Sequence, residues 1–211
     1  MDRPVSESRE AARLRASEQS CELFIARGTT HLPISEIAET IGISQRTFHR
    51  YFPAKAECVS PLFDWTTRRF NDAIIEADPD EAPYGVVRSA FRAGLAGGVA
   101  DRTQALFPLV FADAEMWSVF LRKVHDGERT LAPALAPRLG FAAESVSARA
   151  AAAAVASATR IALEAMVTVG ADAEDVFLQT VSAFAAGALP AADDLSRLRA
   201  AAHPVTRQPA G

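Results

Sequence analysis

Apolar residues recur every three to four positions along nearly the whole chain, and no run alternates in the strict manner of a half-buried strand, so the pattern predicts an all-α fold. The first stretch, "SESREAARLRASEQSCELFIARG", carries Ala12, Ala16, Leu23, Ile25 and Ala26 on a broad inner stripe. Ser6 or Ser8 is the expected N-cap, and Gly28 follows its end. "PISEIAETIG" sets Ile34, Ile37, Ala38 and Ile41 at helical spacing before Gly42 stops it. "ISQRTFHRYF" opens on Ser44, a good N-cap, and Pro53 ends it. Two helices this short cannot each bury a face alone. Joined by a glycine turn and laid on the first helix, they read as a helix-turn-helix unit.

The fourth segment, "KAECVSPLFDWTTRRFNDAIIEA", is long and amphipathic, and Pro61 is expected to bend or break it near Val59. "DPDEAP", residues 78–83, is the clearest linker. Helical stretches follow at about 84–99, 103–112, 115–132, 143–169 and 172–187, separated by Gly97-Gly98, "FAD" and "APALAPRLG". The chain then turns polar and proline-containing, which predicts a short helical piece and a frayed tail. The expected organisation is a three-helix domain at 1–55, a larger helical domain at 56–190 and a partly disordered tail at 191–211.

With 211 residues and 49% hydrophobic content, the chain can bury a real core. Cys21 and Cys58 stand alone in helical stretches, without the partners of a disulfide framework or a zinc site. The charged N-terminus is not a secretory signal. No charge-free apolar run reaches the roughly 20 residues that a bilayer requires; the one at 150–159 is alanine-rich and short. A cytoplasmic setting with no membrane partner is therefore expected. Charge divides unevenly: residues 1–55 hold eight Lys/Arg against seven Asp/Glu, and residues 56–211 hold fourteen against nineteen, so +1 − 5 gives the net −4. Any phosphate-binding surface must be local and N-terminal.

The second short helix supplies one. Phe48 and Phe52, four apart, point inward with Ile43, leaving Gln45, Arg46, Thr47, His49, Arg50 and Tyr51 on the outer face. Arg46 can offer a bidentate fork to guanine O6 and N7, and Gln45 can pair with adenine, both at the leading end that enters a major groove. Thr47, Tyr51 and Lys55 suit phosphate oxygens, which fix register rather than read sequence. Ser35 and Ser44 complete the candidate DNA-facing set. A helix face with Arg and His is commonly just solvated. Here, however, no acid occurs in the seventeen residues between Glu39 and Glu57 of a net-acidic chain, and Lys55 follows a proline stop.

The run "ISEIAETIGISQRTFHRYFPAKAECV" resembles the DNA-binding domain of the TetR family of transcriptional regulators. That family's pattern is met by Ile37-Ala38, Gly42-Ile43-Ser44, Thr47-Phe48, Tyr51-Phe52 and Lys55, over about residues 10 to 60. The resemblance implies an all-α homodimer on double-stranded DNA. Each N-terminal domain would occupy half of a palindromic operator, and the C-terminal domain would hold a small-molecule pocket and the dimer interface. It further implies a ligand-responsive regulator acting as a repressor. Two positions depart from the pattern: His49 stands where the family usually has Tyr or Phe, and Pro33 where a capping Thr is common. The run from Gln45 to Lys55 also resembles regulators linked to mycofactocin biosynthesis, whose effectors are acyl-CoA-like.

In the remainder, "SARAAAAAVASATRIALEAMVTVG" and "VFLQTVSAFAAGAL" are rich in small residues that let helix axes approach closely. They are either central helices of one subunit or, as the resemblance favours, a four-helix contact between copies through residues near 143–169 and 172–187. Phe91, Phe107, Phe111, Trp117 and Phe120 are candidate lining for a small hydrophobic effector, although an aromatic stripe is more often core. His125 and Arg160 are the polar candidates, with Glu164 one turn beyond Arg160 as a plain ion-pair partner. His125 and Glu128 have chelating spacing but no second ligand pair, and no nucleophile, P-loop or dinucleotide motif is present. No enzyme activity, metal or cofactor is expected. The alternative is a helical small-molecule-binding or protein-interaction module that does not engage DNA.

Overall fold

The computed structural model describes residues 3–187, with side-chain surroundings from Arg9 onward; the expected tail beyond residue 190 lies outside the described residues. These residues form α1 (Arg3–Arg27), α2 (Ile34–Thr40), α3 (Gln45–Tyr51), a 3-10 turn (Lys55–Val59), α4 (Ser60–Glu76) and α5 (Pro83–Gly94). A second 3-10 turn (Gly97–Val99), α6 (Ala100–Ala112), α7 (Ala114–Leu139), α8 (Val146–Val169) and α9 (Ala173–Ala185) follow. The fold is all-α, a helix-turn-helix followed by a helical domain, as the periodicity predicts.

The first helix departs from its sequence reading in two ways. It already runs from Arg3, so Ser6 and Ser8 lie inside it rather than capping it. Its inner stripe is also rotated: Ser17, Ser20, Cys21 and Phe24 are buried, whereas Ala26 is exposed. The serines can go inside because their hydroxyls are bonded, Ser20 donating to the Ala16 carbonyl at 2.8 Å and Ser17 to the Cys58 carbonyl. Counting apolar letters alone misses that phase.

Pro61 falls in the first turn of α4, where its missing N–H costs no hydrogen bond, and the expected break near Val59 is the preceding 3-10 turn. The expected stop at "APALAPRLG" does not occur, and α7 continues through Pro133 and Pro137 to Gly140. The two prolines are four apart and both exposed, so the carbonyls they free face water. Leu131, Ala132, Leu135 and Ala136 stay buried on the opposite side, where α7 packs on α8. Burial of four side chains there outweighs two lost backbone bonds.

α8 is long and apolar enough by composition to cross a bilayer, with mean hydropathy 1.4, which its short charge-free stretch did not suggest. Alanine supplies that apolarity, and the helix packs among α6, α7 and α9. One continuous buried cluster runs from Ala16 in α1 to Phe177 in α9, crossing from the helix-turn-helix into the larger domain without a gap. α4 and α5 approach so closely that a Cβ at Gly94 would sit 3.2 Å from the Thr66 carbonyl. The Arg138 guanidinium donates to the carbonyls of Ile74, Ala77 and Asp78, satisfying the C-terminus of α4 from α7.

Candidate nucleic-acid interface and ligand cavity

The α2–turn–α3 unit is held by its apolar residues. Ile37, Ala38, Phe48 and Phe52 are fully buried, and the Phe48 and Phe52 rings meet edge-on with centroids 5.0 Å apart. Gly42 adopts φ +73° in the turn, a left-handed conformation natural to glycine. Ser44 caps α3 by accepting the Thr47 N–H at 3.1 Å, and its own hydroxyl donates to Thr47 Oγ1 at 3.0 Å. Ser44 is thus committed to the cap, and the Thr47 hydroxyl proton stays free to donate outward. Pro33, in contrast, opens α2 without a side-chain cap.

What remains outside is a row of donors. Ser35, Gln45, Arg46, His49 and Arg50 are exposed, and Thr47 and Tyr51 are half-buried beside them. Arg50 lies over the Tyr51 ring at 5.5 Å, and His49 packs its edge against Phe48. Among the described residues, no carboxylate lies within ion-pair distance of Arg46, Arg50 or Lys55, whereas Arg27 one helix away is matched by Glu36 at 3.1 Å. The two guanidiniums of this face, Arg46 and Arg50, are open to an external anion.

Lys55 has a second attachment that its sequence position does not reveal. Its Nζ donates to the Thr30 carbonyl at 3.1 Å, which pins the ammonium beside the loop between α1 and α2 with further N–H donors to spare. Thr30 in turn donates its hydroxyl to Asp113 Oδ2 at 2.8 Å, and Asp113 Oδ1 accepts the Glu115 and Met116 N–H groups as the N-cap of α7. Burial alone would raise the Asp113 pKa. The bonds from Met116 and Thr30, with the nearby Lys55 charge, outweigh it and hold the carboxyl below its ordinary value.

The larger domain holds a partly open apolar cavity of about 80 Å³ walled by α4, α6, α7 and α8. Phe107 and Phe120, both candidate lining residues, are in its wall together with Phe63, and the three rings pack at 5.2 to 5.8 Å. The other candidates lie elsewhere. Phe91 stacks on Phe177 at 4.3 Å in the core between α5 and α9, and Phe111 and Trp117 pack on each other at 4.9 Å beyond the cavity. His125 is three-quarters exposed, 3.7 Å from Glu128. Arg160 is bonded to both Glu164 oxygens at 2.7 Å, the ion pair that its i,i+4 spacing allows.

The comparison with known proteins meets this geometry at the helix-turn-helix. Residues 18–61, from mid-α1 into the start of α4, match the family described as bacterial regulatory proteins, tetR family. The matched stretch is the helix-turn-helix with its flanking segments.

Over 131 residues the chain is 30% identical to the HTH-type transcriptional regulator TcmR of Streptomyces glaucescens, an alignment covering 58% of each protein. The chain thus spans little more than half the length of that relative. Its fold is also similar to the crystal structure of a protein described as a tetR-family transcriptional regulator from Mesorhizobium loti, with TM-score 0.57 at 18% identity, covering 84% of this chain and 97% of that one. That likeness is one of fold.

In the matched stretch, Gln45, Arg46, His49 and Arg50 are exposed on α3, whereas Phe48 and Phe52 are buried. Sequence reasoning missed the Thr30–Asp113 contact and the polar residues of the cavity, Thr66, Thr67, Asn71, Lys123 and Thr159. No local signal could have found the first, because its partners are 83 positions apart. The threonines were legible only as polar interruptions of apolar helix faces.

Proposed function

We propose that this chain is a ligand-responsive DNA-binding transcriptional regulator, a repressor that binds a palindromic operator as a homodimer. The observation that carries this reading is the outer face of α3: exposed Gln45, Arg46, His49 and Arg50 on a helix anchored by two buried phenylalanines, with no acid opposing its cations among the described residues. Such a face suits the major groove, with Gln45 and Arg46 at base edges and Thr47, Tyr51 and Lys55 at phosphates. Residues 1–55 are assigned to DNA and 56–190 to effector binding and dimerisation. A cytoplasmic location follows from the role.

Two features support the rest of the reading. The cavity offers an apolar site for a small effector, and α8 and α9 leave Val169 and Phe184 exposed for a second copy. At about 80 Å³ the cavity is smaller than the roughly 300–1,000 Å³ of typical ligand sites, so a larger occupant must displace its walls. In the dimer that displacement would alter the separation of the two recognition helices, which must match a groove spacing of roughly 34–36 Å. The names of the two relatives carry no mycofactocin link, and we assign no acyl-CoA-like effector.

The test is a gel shift with the DNA upstream of the chain's own gene at two salt concentrations. A regulator retards a discrete fragment and loses affinity steeply with salt. Absence of binding even at low salt would sink the proposal and favour a helical interaction module.

A further inference from the structure

We propose that the cavity between α4, α6, α7 and α8 selects an apolar ligand bearing a hydrogen-bond donor, a hydroxyl or N–H, over one bearing a carboxylate, with Asn71 Oδ1 as the accepting atom. The proposal rests on the effector reading above and specifies the ligand class of that site.

Two of the wall hydroxyls and the Asn71 amide oxygen present lone pairs rather than protons. Thr67 donates its hydroxyl to the Phe63 carbonyl at 3.0 Å, and Thr159 donates to the Val155 carbonyl at 3.0 Å. Each keeps only acceptor capacity toward the cavity. Asn71 Nδ2 donates to Thr130 Oγ1 at 2.9 Å, and the Thr130 proton is committed to the Gly127 carbonyl at 3.0 Å. An oxygen so committed can only accept, so this relay fixes which end of the Asn71 amide faces Thr130. The other end, Oδ1, is buried and has no partner. An orphaned buried acceptor loses its hydration without a replacement, and a ligand donor restores the missing bond. Thr66 alone keeps a hydroxyl able to donate or accept.

One cation reaches the wall, but its charge is already matched. Lys123 Nζ lies 2.8 Å from Asp64 and 4.0 Å from Asp126. A ligand carboxylate would therefore face acceptors and a neutralised ammonium, and would surrender its own hydration on entry. The rest of the wall is phenyl and aliphatic, from Phe63, Phe107, Phe120 and Val155. Ring-sized apolar ligands match it, with the polar atom on the Asn71 side.

Phenol, toluene and benzoate share one ring and differ only in the substituent, so titration of the full-length protein with each, followed by two-dimensional NMR shifts of cavity residues, tests the proposal. Phenol is expected to bind about tenfold more tightly than toluene, with benzoate weakest. Asn71→Leu should bring phenol down to the toluene value. Thr130→Val leaves Asn71 in place but removes the lock on its amide, which can then turn an N–H toward the cavity. That variant should narrow the gap between phenol and benzoate, an effect that simple loss of packing would not produce. Benzoate binding as tightly as phenol, or a phenol preference unchanged in both variants, would overturn the donor assignment. Equal saturable binding of phenol and toluene would also overturn it while leaving the effector reading intact. Absence of cavity shifts with all three would remove both.

Discussion

The Thr30 hydroxyl and the Asp113 carboxylate meet at 2.8 Å in a buried contact, tying the loop after α1 to the first turn of α7. The same carboxylate caps α7, and the same threonine holds Lys55 through its carbonyl. A polar chain thus leads from the helix-turn-helix to the helix that carries Phe120 and Lys123 of the cavity wall. Asp113→Ala removes both a cap and a buried acceptor and should cost about 1–3 kcal/mol in denaturant unfolding.

The acid limb of stability should report the same group. The folded-state pKa of Asp113 is lowered, so its contribution is complete above the unfolded aspartate value of about 3.9 and disappears as pH falls through the folded value. The stability difference between the native protein and Asp113→Asn should be constant near neutrality and shrink below about pH 4. A difference that stayed constant to pH 2 would show that the carboxylate charge contributes nothing.

The proposed DNA-binding role assigns base reading to Arg46 on α3 and phosphate grip to Lys55 in the turn after it. Arg46→Ala should weaken operator binding and relax base preference, at a cost of about 1–3 kcal/mol. Lys55→Ala should weaken binding to all sequences alike and lower the salt slope by about one. Altered specificity with an unchanged slope in the Lys55 variant would reverse the assignment.

Gly42 tests the turn. A Cβ there meets no atom within 4 Å, so Gly42→Ala introduces only the strain of φ +73°. Stability should fall by about 1 kcal/mol, which a shift in the thermal or urea midpoint would register.

Both cysteines should be inert in the native state. Burial pushes the Cys21 thiol up to about 12 and raises that of Cys58 as well, so neither supplies thiolate at pH 8. An aromatic disulfide reagent should titrate no thiol until denaturant is added, and then two.

Phe184 tests the proposed dimer. It is 42% exposed near the end of α9, and Phe184→Asp should shift a dimer toward monomer in analytical ultracentrifugation while leaving the helical circular-dichroism signal unchanged. Unchanged mass at micromolar concentration would move the interface elsewhere.

The sequence by itself determined the elements whose causes are local. Ser44 before an apolar pair at i and i+4, Gly42 in the turn and Pro53 after the end specify α3, and the acid-free window around it exposes the basic face. Those signals lie within a few residues of what they govern, so one chain suffices to read them. Tertiary structure alone decided the rest. It gave the inward Ser17 hydroxyl a partner in the Cys58 carbonyl, and carried α7 through Pro133 and Pro137 because α8 buries the opposite side. It also left Phe91 in the core while placing Phe107 and Phe120 in a cavity wall, brought Thr30 to Asp113, and left Asn71 Oδ1 without a partner. Each of these depends on which surfaces meet after the helices pack, and burial and hydrogen-bond satisfaction between distant segments have no local signature.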